Sequence, residues 1–390
     1  MRFCPRPLQF GPGLSNLWRG FERCGSTGIT TRPEGLFFCS ARAGIAFTIK
    51  QLPSEYGDNV IAAGFTCSAV TDAITAAGKK TILVDINRDF SLNEAQIDKH
   101  VDNGAQIILV QHTLGKMGLR EEKITQLKAR GVFIIIDNSL SYGTLFKGED
   151  IGSLGHVEIQ SYEVSKTITC GWGGRVTFHD IEFGLKSQIE LAYLSLQELA
   201  FLTSLREKLQ LEISSFYIEN YRKHGAALWY LLYAMKIFKR SNIKLKDFNQ
   251  QICKINQRTF PYLERLLQNS EKIYERVTQN YNDVKNLCIE HSLDYVRCEE
   301  EDADYRIVAP RFTVVLRKPC DLTVEQLFLD NRIDIGRWFQ EVPIHGDEHN
   351  LKNTFFFNKH VINVPVHHTL KKSELERINN LFCGLSRNGY

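Results

Sequence analysis

Lys166 has the most chemistry to offer in this chain because of what stands on either side of it. It follows a short apolar run, Val157–Ser161, and precedes a glycine cluster at Gly171, Gly173 and Gly174. A lysine held at the end of a strand can form a Schiff base with a carbonyl compound. Glycines just beyond it let backbone approach a bulky ligand with no Cβ in the way. Ser161, five residues before the lysine, offers a hydroxyl for a phosphate. A second run, VFIIID at Val132–Asp137, is five apolar, mostly β-branched residues ending in one carboxylate. That is the pattern of a buried parallel strand delivering an acid to the carboxyl edge of a sheet, where α/β ligands bind. Pyridoxal phosphate uses two such groups, a lysine for its aldehyde and a carboxylate that keeps the pyridine nitrogen protonated. The 29 residues from Asp137 to Lys166 leave room for one further crossover between two strands.

The stretch IIIDNSLSYGTLFKGEDIGSLGHVEIQSYEVSKTITCGWGG resembles the core of the DegT/StrS-type sugar aminotransferases, fold-type I enzymes dependent on pyridoxal phosphate. The resemblance implies that Asp137 pairs with the ring nitrogen, Ser161 holds phosphate and Lys166 carries the cofactor covalently. It covers roughly Gly35–Asp180 and Asp304–Phe382, the latter through RFTVVLR, RIDIGRWFQ and HVINVPVHHTLKKSELERINNLF. SARAGIAF is similar to the family's phosphate-cradling helix start, which implies Ala41 and Arg42 as phosphate neighbours; small residues there expose the free N–H groups of a first turn. Gly173 and Gly174 are expected to give close backbone approach to the ligand.

Two positions depart from the family pattern. DNVIAAGFT at Asp58–Thr66 resembles the strand and turn that place an aromatic over the cofactor ring, but Cys67 occupies the aromatic's position. A small polarizable thiol is then expected to touch the ring, with Phe65 read as core. Three residues after Asp137 many members carry Gln or His, and this chain has Leu140, which cannot hydrogen-bond. Asn138, Ser139 or Ser141 would have to replace that contact, and Ser141 is included among the cofactor contacts.

The elements that must position these residues are legible as alternating runs. Strands are expected at Thr81–Asp85 and Ile107–Gln111, and helices at Leu92–Val101 and Arg120–Arg130, a cadence that predicts a mostly parallel sheet covered on both faces. Asp85 ends its strand as Asp137 does, so a strand-end carboxylate alone does not mark a site. His112 either lines the site or makes a structural hydrogen bond, and His367 and His368 beside Pro365 read as a turn. Ile181–Arg240 reads as helical throughout, and Phe248–Leu293 as a second long helical region bent near Pro261. A strand at Arg306–Leu316 and a helix at Leu322–Asp330 follow. The expected fold is α/β, a fold-type I PLP-transferase with a mostly parallel central sheet flanked by helices and a smaller α+β carboxyl-terminal domain. Residues 1–33 read as an irregular arm, 34–245 as the large cofactor-binding domain with a helical extension, and 246–390 as a helical connector and the small domain.

The 390 residues are enough for two such units and a substantial core. A hydrophobic fraction of 43%, a charged fraction of 24% and a formal charge of +3 give no reason to invoke nucleic acid. The ten cysteines show no CxxC pair or Cys/His spacing for zinc, so no metal is expected. They read as reduced thiols of a cytoplasmic protein. No signal-peptide core or apolar run of about 18 residues is present. Gly225–Met235, with basic flanks, could lie at a lipid surface, but its 11 residues favour a helix buried between domains or subunits.

Together these readings predict an aminotransferase that moves an amino group from glutamate to a keto sugar, most plausibly nucleotide-linked, with Lys166 as general acid/base. The resemblance implies a homodimer with its sites between subunits. Two alternatives stand beside it. One is a sugar dehydratase of the same fold, in which histidine replaces the lysine, and Lys166 argues against it. The other is a catalytically silent cofactor-binding or regulatory protein, suggested by Cys67 and Leu140.

Overall fold

Runs of β-branched and aromatic residues bounded by glycine and polar turns become the strands of a seven-stranded sheet. The computed structural model describes residues 34–163, 165–200, 203, 252–257, 260–297, 305–333, 336–339 and 348–390. The amino-terminal half begins with β1 (Leu36–Phe38), α1 (Ala41–Gln51), β2 (Asn59–Ala63), α2 (Ser68–Ala76) and β3 (Lys80–Val84). It continues through α3 (Glu94–Asp102), β4 (Ile107–Gln111), α4 (Glu121–Ala129) and β5 (Phe133–Asp137). A small excursion, β6 (Leu145–Phe146) and β7 (Glu149–Asp150), leads into β8 (Val157–Ser161), β9 (Gly174–Phe178) and α5 (Phe183–Leu194).

The sheet order is β1-β9-β8-β5-β4-β2-β3. Strands β2, β3, β4, β5 and β8 are parallel, while β9 runs antiparallel to both its neighbours. All five residues of β5 are buried, as expected of a central strand covered on both faces. Successive side chains point to opposite faces. Phe133 and Ile135 accordingly pack with Ile45, Ala46 and Ile49 of α1, whereas Ile134 and Ile136 pack with Ile97 of α3 and Leu127 of α4.

The carboxyl-terminal part contains α6 (Phe260–Gln268), α7 (Ser270–Glu290), β10 (Asp294–Tyr295), β11 (Tyr305–Arg306) and β12 (Arg311–Val315). It ends with α8 (Leu322–Asp330), α9 (Lys352–His360), β13 (Val361–Pro365) and α10 (Lys372–Arg387). An antiparallel sheet, β10-β12-β13, carries a second core in which Phe312, Val314, Ile362 and Val364 meet Val284 of α7, Phe328 of α8 and Leu381 of α10. This part is stitched to the first in several places, two of them by strand pairing and by core packing. β11 pairs with β6, and Phe357 of α9 joins the core beneath the main sheet.

Several sequence expectations change here. The region from 248 to 293 is not one bent helix. Residues 252–257 run extended along β1, with Cys39 N–H donating to Cys253 O at 3.0 Å and Ile255 N–H to Phe37 O at 3.1 Å. Pro261 lies in the first turn of α6, where a missing N–H costs nothing, so it marks a helix start and not a bend. The break falls at Asn269, between α6 and α7. Of the helical stretch expected over Ile181–Arg240, α5 stops at Leu194 and Leu199 N–H then donates to Lys254 O in an extended segment, while 201–240 apart from Thr203 lies outside the described residues. The proposed strand at Arg306–Leu316 divides around Pro310 into β11 and β12, which belong to different sheets. The arm 1–33 and the segment Gly225–Met235 lie outside the described residues. Among those described, no helix is long and apolar enough to cross a membrane.

Candidate active site

Three elements bring the sequence candidates to one edge of the main sheet. Asp137, the last residue of β5, is buried, and in the parallel register it lies beside Ile159 of β8. Alternation along each strand puts Asp137 on the same face as Ile135, and Ser161 on the same face as Ile159, which is the face covered by α1. Asp137 Oδ1 accepts a hydrogen bond from the Ser139 N–H at 3.0 Å. Ser161 is buried and pairs across the sheet with Gly174 of β9. Gly174 sits directly against the start of α1: a Cβ built there would lie 2.3 Å from Ala41 N and 2.7 Å from Ser40 C. The hydroxyl strand end and the helix start are thus held together through one glycine.

At that helix start, Ser40 is the N-cap in extended backbone, and its hydroxyl accepts from the Ala43 N–H at 3.1 Å. Ala41 is buried and Arg42 half-buried. The pair Gly173 and Gly174, expected to let backbone approach a ligand, instead lets protein approach protein. Gly174 makes room for the Ser40–Ala41 backbone, and Gly173, at φ +113°, bridges to Ser40 with Ile255 Cδ1 where a Cβ would need space.

Lys166 lies in the turn after β8, its N–H donating to Glu163 O at 3.2 Å. Ser165 just before it has φ +78°, a left-handed conformation uncommon outside glycine. The half-buried lysine places Nζ 5.9 Å from the ring centroid of Trp338. Trp338 also meets Arg311, whose Cζ is 5.2 Å from the same centroid. Gly336 and Asn363 exchange backbone hydrogen bonds at 3.2 and 2.7 Å, which anchors the Trp338 segment to β13. The carboxyl-terminal sheet therefore supplies an aromatic wall to the lysine of the large sheet.

An amine, a buried carboxylate and a hydroxyl beside a helix start, converging at one sheet edge, can hold a phosphorylated aromatic aldehyde. The model of the DegT/DnrJ/EryC1/StrS aminotransferase family matches residues 29–382. The chain belongs to this family. The fold agrees: the sugar aminotransferase Spr1654 of Streptococcus pneumoniae, in its PMP-form, superposes with a TM-score of 0.70 at 16% identity over 97% of this chain and 93% of that one. PseC of Helicobacter pylori, an aminotransferase of pseudoaminic acid biosynthesis, gives 0.67 at 13% identity over 91% and 88%. In sequence, the GDP-perosamine synthase of Escherichia coli O157:H7 is 31% identical over 125 residues, 32% of this chain and 34% of that protein. The matched stretch thus spans about a third of the length of such curated relatives.

Other candidate residues of this DegT-family chain take structural roles. Asp85, one residue past β3, accepts from the N–H groups of Asn353 and Thr354 and from the Thr354 hydroxyl at 2.8–2.9 Å, holding the first turn of α9. Among the described residues the Asp137 carboxylate accepts only from the Ser139 N–H of its own turn, and this separates the two strand-end acids. Ser141 is fully buried, and its hydroxyl donates to His112 O at 2.8 Å and accepts from the Gly115 N–H at 2.8 Å, so it ties two loops together. Leu140 packs with Leu114 and Ile307 at the edge of the second core. Cys67 is exposed at the start of α2, while Phe65 stacks among Phe90, Phe339 and Phe357 as a core residue. Gln111 and Trp338 escaped the sequence reading. Gln111 ends β4 beside Asp137 and links Phe65 O and Thr113 Oγ1 at 3.2 and 2.6 Å. The polar end of an otherwise apolar strand was its one sequence signal.

His112 is settled by its bonds. Its Nδ1 accepts from the Gly118 N–H at 2.9 Å, so Nε2 carries the proton and donates to Ile151 O at 2.9 Å. Burial pushes its pKa down to about 4, and burial does the same at His156 and at His367, which lies in the expected turn. The unfolded chain binds these protons near pH 6.5 and the folded one near 4, so stability is full above 6.5 and lost as pH falls through that window. Asp150, pushed up to about 6 by burial and by the charge of Glu158, acts in the opposite sense over part of the range. Three histidines against one acid leave a net loss. The melting temperature is expected to fall steadily from pH 6.5 to 4, and a flat thermal profile across that window would contradict neutral burial of these rings.

Proposed function

We propose that this chain is a pyridoxal-phosphate-dependent aminotransferase that carries an amino group from glutamate to a nucleotide-linked keto sugar. The observation that carries it is the convergence of Asp137, Ser161 and the α1 start on one sheet face, with Lys166 in the next turn. The residues fit the cofactor. The α1 start and the Ser161 hydroxyl suit a phosphate monoester, Asp137 retains acceptor capacity for a protonated ring nitrogen, and Lys166 is the amine for the aldehyde. Arg42 would add a charge-assisted hydrogen bond to the phosphate. The names of the perosamine and pseudoaminic acid relatives support a sugar as acceptor, and the resemblance adds a homodimer.

When bound, the cofactor supplies an electron sink for the carbon that loses or gains a proton. With the cofactor held there, the Lys166 amine would serve as general acid and base for that proton. The Asp137 carboxylate would hold the ring-nitrogen proton. Trp338 covers Lys166 on one side and limits water around its amine.

A second reading, a silent cofactor binder, draws on Leu140, whose apolar packing leaves no hydrogen-bonding side chain at that position, and on a 30% identical relative from Geobacillus stearothermophilus named a pleiotropic regulatory protein. The visible absorption of the protein loaded with pyridoxal phosphate, before and after glutamate, separates the two. Conversion to the pyridoxamine form is the expected result. A band indifferent to glutamate favours the silent binder, and no band removes both readings.

A further inference from the structure

The central strand β8 carries a carboxylate where its neighbours are apolar. Glu158 is 2% exposed and lies in register with Ile136, on the sheet face opposite Asp137. Its Oε1 accepts from Asn138 Nδ2 at 2.7 Å, and its Oε2 is 3.5 Å from His179 Nε2. Among the described residues, the charged and titratable groups facing it are Asp150 of β7, Arg175 of β9, His179 just beyond β9, His112 after β4, Tyr142 after β5 and Tyr162 after β8. Burial pushes the Glu158 pKa up, but hydrogen bonds from His179 and Asn138 outweigh it and hold the group below its ordinary value. The position is shaped around this contact. Gly152 has no Cβ because one would lie 2.3 Å from Glu158 Oε1 and 2.5 Å from Asn138 Nδ2.

Asn138 follows Asp137 directly. Its backbone N–H donates to Ile159 O at 2.9 Å, so both its main chain and its side chain are bound to β8. A buried carboxylate in a hydrophobic strand is costly compared with an apolar residue of similar size, so stability alone does not account for it. Consecutive residues at a strand end face opposite ways. Pinning the Asn138 amide beneath the sheet therefore sets the rotation of the peptide that aims the Asp137 carboxylate above it.

We infer that Glu158, acting through Asn138, is a positioning residue for the carboxylate of Asp137. The inference rests on the reading of Asp137 as partner of the ring nitrogen. If Glu158 is loosened, Asp137 wanders from the line of that nitrogen and the ring proton is held less firmly. Glu158→Gln keeps an acceptor oxygen for Asn138, whereas Glu158→Leu and Asn138→Ala each delete the contact, the latter without touching β8.

The test is a pH titration of the ring-nitrogen chemical shift, by nitrogen-15 NMR of the protein loaded with pyridoxal phosphate labelled at that nitrogen, a readout independent of turnover. Glu158→Leu and Asn138→Ala are expected to lower the pH at which the ring proton is lost by about one unit, a tenfold weakening. The double variant should add nothing further, and Glu158→Gln should titrate within a few tenths of a unit of the parent protein. If Glu158→Leu does not fold, Asn138→Ala carries the test alone. An unshifted midpoint in Asn138→Ala, with the parent binding cofactor normally, overturns the positioning role and leaves the aminotransferase reading intact. A parent protein that takes up no cofactor overturns both.

Discussion

Lys166→Ala is expected to leave a folded protein that no longer transfers amino groups. Among the described residues the lysine is half-buried, and its side chain contacts the Trp338 ring at 5.9 Å, an interaction of about 0.5–1 kcal/mol at such sites. Removing it should therefore move the melting temperature by no more than a few degrees. The chemical loss is much larger. On the proposed roles the variant would lack both the amine for the aldehyde and the group that moves the proton, and the second role alone is worth on the order of a hundred- to ten-thousandfold. Turnover with glutamate and a keto sugar, together with retention of cofactor through gel filtration, reads both effects. Undiminished transamination by the variant would sink the assignment of Lys166 and the proposed function with it.

Gly174→Ala is expected to damage cofactor binding from a position that need not touch the cofactor at all. The added methyl would lie 2.3 Å from Ala41 N and 2.5 Å from Ala41 Cα, backbone atoms that cannot rotate out of the way. Either β9 or the first turn of α1 must move. Overpacking of this kind costs about 1–3 kcal/mol, and the strain falls on the join between Ser161 and the helix start. Loss of pyridoxal phosphate affinity by about tenfold or more should accompany the drop in melting temperature, since 1.4 kcal/mol is a factor of ten in binding. Gly184→Ala in α5, where the nearest atom is a flexible Glu182 oxygen at 3.7 Å, is the control and should be neutral or slightly stabilising. Equal cofactor affinity in the parent and Gly174→Ala proteins would show that the start of α1 is not part of the phosphate seat.

Much of the central architecture was legible as local pattern. The run at Val132–Asp137 is apolar at every position but the last, and it became β5, buried on both faces. β4 and β8 appeared with the expected bounds, and so did α8, whose Asp321 cap bonds the N–H groups of Thr323 and Val324. These elements were readable because burial on a strand or one face of a helix is written in residue types a few positions apart. Pro261 was misread for a related reason. Its fixed φ suits a bend or a first turn equally, and the choice depended on the extended segment from 252, which pairs with β1 some two hundred residues away.

The site was legible to the level of its family core and no further. Asp85 and Asp137 both close an apolar strand with a carboxylate, and nothing within either run tells them apart. Asp85 became a helix anchor because α9, 268 residues onward, brings its first turn to that strand end. Gly174 looked like space for a ligand, and it makes room for the Ser40–Ala41 backbone at the start of α1. Trp338 and Glu158 gained their roles from contacts that cross strands or sheets. Sequence by itself determined which residues could do the chemistry and which runs would be buried, because side-chain type and periodicity are local. Only the tertiary structure decided what each buried polar group faces, because that depends on which distant segment the packing brings within hydrogen-bond reach.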